Sequence, residues 1–216
     1  MNEQKTIYEL YIDAGGCYFE IFVNEVPIYF HYEIGATAFR LPINSYIAKS
    51  GEQTISFKML SVAEGKPFPQ GTDLSLTIDE YPKDQPRDRK TIFTYKTPIF
   101  EESNKGVFID EKIFKAEVPY RLTDWKQGVD LSKEKKETLR NELEEIYNQY
   151  TLAFKNNDLS TYKELTKIRQ EDTFTSLYYD ENERKLEEVG YLDGITHEKV
   201  KLYPIDKKRY SKIYCL

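Results

Sequence analysis

From Thr6 to Tyr32 apolar and polar side chains alternate with a period of two, broken only by two short turns. That period belongs to strands with one buried face, and it commits the N-terminal half of the chain to β-sheet. Tyr8, Leu10 and Ile12 share one face, with Glu9, Tyr11 and Asp13 on the other. Gly15-Gly16 marks a turn. Beyond it Cys17, Phe19, Ile21 and Val23 face one way, and Tyr18, Glu20 and Phe22 the other. After Asn24-Glu25 the alternation resumes with Val26, Ile28, Phe30 and Tyr32. Such close spacing predicts an antiparallel meander of three strands.

Further strands are expected at Thr37–Leu41, Gln53–Leu60, Leu74–Asp79, Thr91–Tyr95, Val107–Asp110 and Ile113–Val118. Gly51-Glu52 and Asn104-Lys105-Gly106 read as turns, and 64–71 and 82–89 as loops rich in Gly, Pro and charge. About nine short strands with regular turn signals predict a β-sandwich ending near Tyr120. Past the link from Arg121 to Leu131 the period changes. Leu139, Leu143, Ile146, Tyr147, Tyr150, Ala153 and Phe154 recur at spacings of three and four, one face of a helix with Ser132 as its expected N-cap. Asn156-Asn157-Asp158 ends that helix, and Asp158 is positioned to cap the next, which carries Tyr162, Leu165 and Ile168. A short third helix is expected around Thr173–Tyr179. Val200–Tyr203 and Tyr210–Cys215 read as a hairpin, or as one strand added to the sheet edge. The expected class is α+β, with an antiparallel β-sandwich domain over 1–121 and a mainly helical domain over 122–216.

The charge balance narrows the partners. The net charge is −6, and the acidic excess is spread over both halves of the chain. Nucleic-acid binding relies on a basic face that neutralises phosphates, so it is not expected here. An acidic surface favours a basic partner. No stretch approaches the roughly 18 apolar residues of a membrane span, and the opening Met1–Lys5 does not resemble a signal peptide, which predicts a cytoplasmic protein. Cys17 and Cys215 are then expected as free thiols.

Catalytic signatures are missing from the sequence. Its two histidines are His31, on the expected polar face of a strand, and His197, beside Glu198. No zinc spacing, nucleophile elbow, phosphate loop or dinucleotide fingerprint occurs, so no catalytic residue, metal or cofactor is expected. The acidic pairs are Asp79-Glu80, Glu101-Glu102, Glu144-Glu145, Glu171-Asp172 and Glu187-Glu188. Adjacent carboxylates in a strand point to opposite faces and make no dyad by themselves.

The aromatic content is what remains to be explained. Eighteen Tyr and twelve Phe bring the aromatic fraction to 14%, within a chain only 39% hydrophobic. Tyr11, Tyr18, Phe22 and Tyr29 fall outside the inward registers, where they are either covered by the helical segment or open to a partner. Exposed Tyr and Trp anchor protein interfaces and carbohydrate platforms. The expected partner-binding residues are Trp125, Tyr178, Tyr179 and Asp180 in the link and helical part, with Glu101 and Glu102 in a loop.

Three resemblances follow. Phe22-Val23-Asn24-Glu25-Val26, Leu41-Pro42-Ile43-Asn44 and Ser50-Gly51-Glu52 resemble the turns of jelly-roll sandwiches that accompany glycoside hydrolases, which implies a carbohydrate- or small-ligand-binding module. Glu142 to Leu165, with Phe154-Lys155-Asn156-Asn157-Asp158-Leu159, resembles the opening helices of a nuclear-transport-factor-2-like domain, a fold whose curved sheet residues 174–216 are too few to supply. In type, being small, acidic, rich in Tyr, Lys and Asn and free of catalytic motifs, the chain is similar to immunity proteins of bacterial polymorphic-toxin and type VI secretion systems. That resemblance implies a non-catalytic binding protein, an inhibitor that neutralises a cognate toxin. It carries no site residues with it.

Overall fold

The computed structural model describes residues 4–101, 106–123 and 125–196, the side chains of residue 125 and of 191–196 excepted. The expected C-terminal hairpin, His197, Cys215 and Glu102 lie outside the described residues. The chain divides into two compact units. One runs from the N-terminus to Gly128 and includes Gln170–Tyr179. The other comprises Val129–Arg169 and the chain from Asp180 onward.

The first unit holds eight strands: β1 (Thr6–Gly15), β2 (Cys17–Val23), β3 (Val26–His31), β4 (Ala36–Pro42), β5 (Gly51–Ser61), β6 (Asp73–Pro82), β7 (Lys90–Lys96) and β8 (Val107–Ala116). They form two four-stranded antiparallel sheets, ordered β4-β1-β6-β7 and β3-β2-β5-β8. The count falls from nine to eight because the last two expected strands are one. Glu111 and Lys112, between the two expected strands, stay paired with Ser56 and Ile55, so β8 runs along β5 from Gly51 to Leu60.

The expected three-strand meander is also corrected, because β1 and β2 belong to different sheets. Gly15-Gly16 is a corner between them. Gly16 has φ +73°, and a Cβ there would lie 2.8 Å from Thr72 Oγ1, whose hydroxyl donates to the Gly16 carbonyl at 3.1 Å. Only glycine fits that approach without strain. With the corner in place, Leu10, Ile12, Leu74, Leu76 and Ile78 of the first sheet join Phe19, Ile21, Ile55, Phe57 and Met59 of the second in one core, a sandwich-like packing. Rings cross it, with Phe57 and Tyr95 5.1 Å apart, and Tyr29 and Phe39 4.5 Å apart.

One irregularity in β3 matters for the site. The hairpin turn Asn24-Glu25 places both residues at positive φ, 50° and 69°, the geometry that two-residue hairpin loops favour. Past it, Phe22 pairs with Pro27, but Ile21 pairs with Tyr29, so Ile28 is an extra residue in the ladder. A bulge of this kind reverses the facing of every residue that follows. Tyr29 and His31, expected on the polar side, therefore turn inward, and His31 stacks on the buried Phe19 at 5.1 Å. Phe30 and Tyr32, expected in the core, turn outward.

A buried polar hub closes one end of the unit. Asn44 is fully buried in a single 3-10 turn, Asn44–Tyr46. Its Oδ1 accepts from the Tyr8 amide at 2.7 Å and its Nδ2 donates to the Thr6 carbonyl at 2.9 Å. Tyr120 donates to the Asn44 carbonyl at 3.0 Å, and the Tyr8 hydroxyl accepts from the Glu117 amide at 2.7 Å.

The helical unit contains α1 (Lys136–Lys155), the first part of α2 (Leu159–Ser176) and α3 (Glu181–Thr196). Its small core gathers Ala153, Tyr162, Tyr150, Phe154 and Leu159. Asp158 caps α2 as expected, accepting from the Thr161 amide at 3.0 Å and the Thr161 hydroxyl at 2.6 Å. Ser132 does not cap α1. It lies in a 3-10 turn whose cap is Asp130, and α1 begins four residues later. The short helix expected at Thr173–Tyr179 is the end of α2, and α3 has no counterpart among the expected elements. Among the described residues, no helix is long and apolar enough to cross a membrane.

Two outcomes test this account. Replacing Asn44 by Leu strands the buried Tyr8 amide and the part-buried Thr6 carbonyl, and should lower the unfolding free energy by about 2–4 kcal/mol in denaturant titration. Replacing Glu25 by Gly removes a left-handed non-glycine residue and should raise it by up to about 1 kcal/mol.

Candidate functional site

The outer face of the second sheet is built from the residues that alternation leaves outside the core. Strand register sets them in rows: Tyr18, Leu60 and Val107; then Phe30, Glu20, Lys58 and Ile109; then Phe22, Ser56 and Glu111; then Thr54 and Ile113. Phe30 is 49% exposed, Tyr32 55%, Ile109 66% and Ile113 59%. Single exposed apolar residues are ordinary, but a contiguous set on one sheet face marks an interaction surface.

The rings on β2 and β3 touch in a chain. Tyr18 meets Tyr32 edge to face at 6.3 Å, Tyr32 stacks on Phe30 at 6.2 Å, and Phe30 meets Phe22 edge to face at 6.1 Å. Glu20 sits among them, and the Tyr32 hydroxyl donates to its Oε1 at 2.5 Å. Burial, that hydrogen bond and the Glu20 charge together push the Tyr32 phenol up to about 12. The surface is thus a set of preformed apolar anchors around one carboxylate.

The outer face of the first sheet is different. Glu9 and Asp79, directly opposite each other on β1 and β6, are both buried. Arg40 reaches Asp79 at 2.7 Å and Glu9 at 3.3 Å, and Arg89 pairs with Glu9. Thr91 donates to Asp79 at 2.7 Å and Tyr81 to Glu9 at 3.1 Å. Each guanidinium also lies over a ring, Arg40 over Tyr11 and Arg89 over Tyr81. Burial works against ionisation of Asp79, but the Thr91 hydrogen bond with the bond and charge of Arg40 outweigh it and hold the carboxyl below its usual range. Two carboxylates matched by two guanidiniums leave little charge to offer a ligand. The partner of Asp79 is thus Glu9 across the sheet, not its chain neighbour Glu80.

The expected site residues belong to different elements of the chain. Tyr178 and Tyr179 follow α2 within the first unit. The Tyr178 carbonyl accepts from Lys83 at 2.7 Å and its ring lies 5.7 Å from Tyr120, while Tyr179 stacks on Phe174. Asp180 caps α3, accepting from the amides of Asn182 and Glu183, and Glu183 accepts in return from the Asp180 amide. Glu101 is exposed, and Trp125 opens a 3-10 turn, Trp125–Gln127. Of the rings expected outside the core, Tyr11, Tyr18 and Phe22 are there and Tyr29 is not. Phe30, Tyr32, Ile109 and Ile113 went unnoticed, the first two because of the bulge. The only sequence signal for the last two is that β8 is apolar on both faces.

Cys17 is a buried free thiol, and desolvation together with the Asp73 charge pushes it up to about 12. Among the described residues no group of three or more His, Cys, Asp or Glu is placed to hold a metal ion. No family model, curated protein or solved structure matches the chain.

The Asp79 network carries a pH dependence of defined sign. A carboxyl depressed in the fold stabilises it above the unfolded value of about 3.9, and that contribution fades as pH falls through the lower folded value. Asp79→Asn should cost about 2–4 kcal/mol at neutral pH and lose less stability than wild type on acidification, measured by denaturant titration across the acid range.

Proposed function

We propose that this chain is a non-catalytic binding protein that engages another protein through the outer face of the second sheet. The observation that carries the proposal is the outward chain of rings Tyr18–Tyr32–Phe30–Phe22, with Tyr32 and Phe30 exposed and Tyr18 and Phe22 half-buried, continued across the sheet by the exposed Ile109 and Ile113. Aromatic anchors set in an apolar patch with a polar margin are the anatomy of a protein interface. Taken with the similarity in type to immunity proteins, the partner is a toxin made by the same cell or its neighbours, and binding neutralises it in the cytoplasm. The alternative, a carbohydrate-binding module, would use the same rings. Their neighbours stand at 66° in the two edge-to-face pairs, and that mixed surface suits side chains better than the flat face of a sugar.

The test is rescue of growth. Co-expression with the toxin encoded beside this gene should abolish growth arrest and yield a 1:1 complex. Phe30→Ala together with Ile109→Ala should weaken that complex by at least about thirtyfold, from the roughly 2 kcal/mol that an interface anchor contributes, with unchanged circular dichroism. Arrest that persists despite co-expression would end the immunity reading. Full rescue by the double variant would remove this face from it.

A further inference from the structure

We propose that Glu20 is the anchor for an arginine side chain of the protein partner, an inference that rests on reading this face as protein-binding. Glu20 lies on the outward row of β2, with Tyr18 and Phe22 two residues away on the same face and Phe30 opposite on β3. Tyr32 satisfies part of one carboxylate oxygen. Among the described residues Glu20 makes no ion pair, although Glu9, Asp79, Glu80 and Asp110 on other strands all do. Lys58 stands opposite Glu20 in the ladder and makes no ion pair with it. A carboxylate held among rings is poorly hydrated on those sides, so a cation arriving there gains more than it would in open water.

The rings supply the second half of the recognition. A cation within about 6 Å of an aromatic face is attracted to it, and Tyr18, Phe22 and Phe30 share the sheet face that carries this carboxylate. Arginine fits both parts at once, because its planar fork can bond the free carboxylate oxygen while its face stacks on a ring. The same stacking occurs on the first sheet, where Arg40 lies over Tyr11 at 4.7 Å while bonded to Asp79. There the chain supplies its own arginine. At Glu20 the partner supplies it, drawn by the protein's net charge of −6.

The experiment titrates full-length protein with hexa-arginine, hexa-lysine and hexa-glutamate, following ring resonances by NMR and affinity by fluorescence anisotropy. Hexa-arginine should bind, shift the Tyr18 and Tyr32 ring signals, and bind more tightly than hexa-lysine. Glu20→Gln, which preserves shape and the Tyr32 hydrogen bond, should weaken it about tenfold, the value of one charge-assisted bond. Glu52→Gln and Glu64→Gln, exposed carboxylates away from the rings, should change it less than about twofold. Lys58→Met, which removes a competing cation, should tighten it. Equal losses in the three Glu→Gln variants, or shifts confined to signals away from Tyr18 and Tyr32, would overturn the assignment. Equal affinity for hexa-lysine would overturn the choice of arginine. These outcomes separate from the interface reading, since Phe30→Ala with Ile109→Ala still impairs toxin rescue if the face binds without an arginine at Glu20.

Discussion

A single extra residue in β3 decides what the second sheet shows to solvent. With Ile28 inserted in the ladder, Tyr29 and His31 turn inward and Phe30 and Tyr32 turn outward. Both results matter to the unit. Inward, Tyr29 reaches Phe39 on β4, so an edge strand of one sheet is fastened to an edge strand of the other. Outward, the two displaced rings complete the chain that Tyr18 and Phe22 begin. The bulge depends in turn on the tight Asn24-Glu25 turn, which the Asn24 side chain holds by accepting from the Thr54 amide at 3.0 Å and donating to Gln53 at 2.8 Å and the Tyr46 carbonyl at 2.7 Å.

The two outer faces of the sandwich-like unit treat charge in opposite ways. On the first sheet, acids and bases are gathered into one network with rings stacked over the guanidiniums, and its groups satisfy each other. Such an arrangement spends its electrostatics internally, because desolvation of buried ions consumes most of what their attraction returns. On the second sheet, charges are interleaved with rings and left largely unpaired. Chemistry available to another molecule therefore concentrates on the second sheet, and this asymmetry rests on which outward positions carry arginine.

Much of the strand content was legible because alternation is a local property. The strands near Tyr8, Phe19, Phe57 and Leu76 lie where the pattern puts them, and so does the Asp158 cap. What escaped was pairing. Nothing around Gly15-Gly16 distinguishes a hairpin from a corner between sheets; that depends on Thr72, more than fifty residues away. Nor does β3 advertise its bulge, since Pro27-Ile28-Tyr29 is apolar in either register. The Glu9–Asp79 juxtaposition was invisible for the same reason, as each carboxylate looks like an ordinary outward charge until β1 lies beside β6. The Tyr178 ring contact with Tyr120 and the Asp180 cap of α3 likewise depend on the fold, since neither residue type announces such a role in the sequence.

The interleaving of Glu20, Lys58 and Glu111 among the rings has a consequence for the protein while it is alone. A flat sheet face of uninterrupted Phe, Tyr and Ile would be a seed for self-association, and charges placed within such a face act as gatekeepers. In each of the two middle rows at least one charged residue interrupts the apolar run. Glu20 thus has a duty in the isolated protein as well: it interrupts a face that would otherwise be open to self-association.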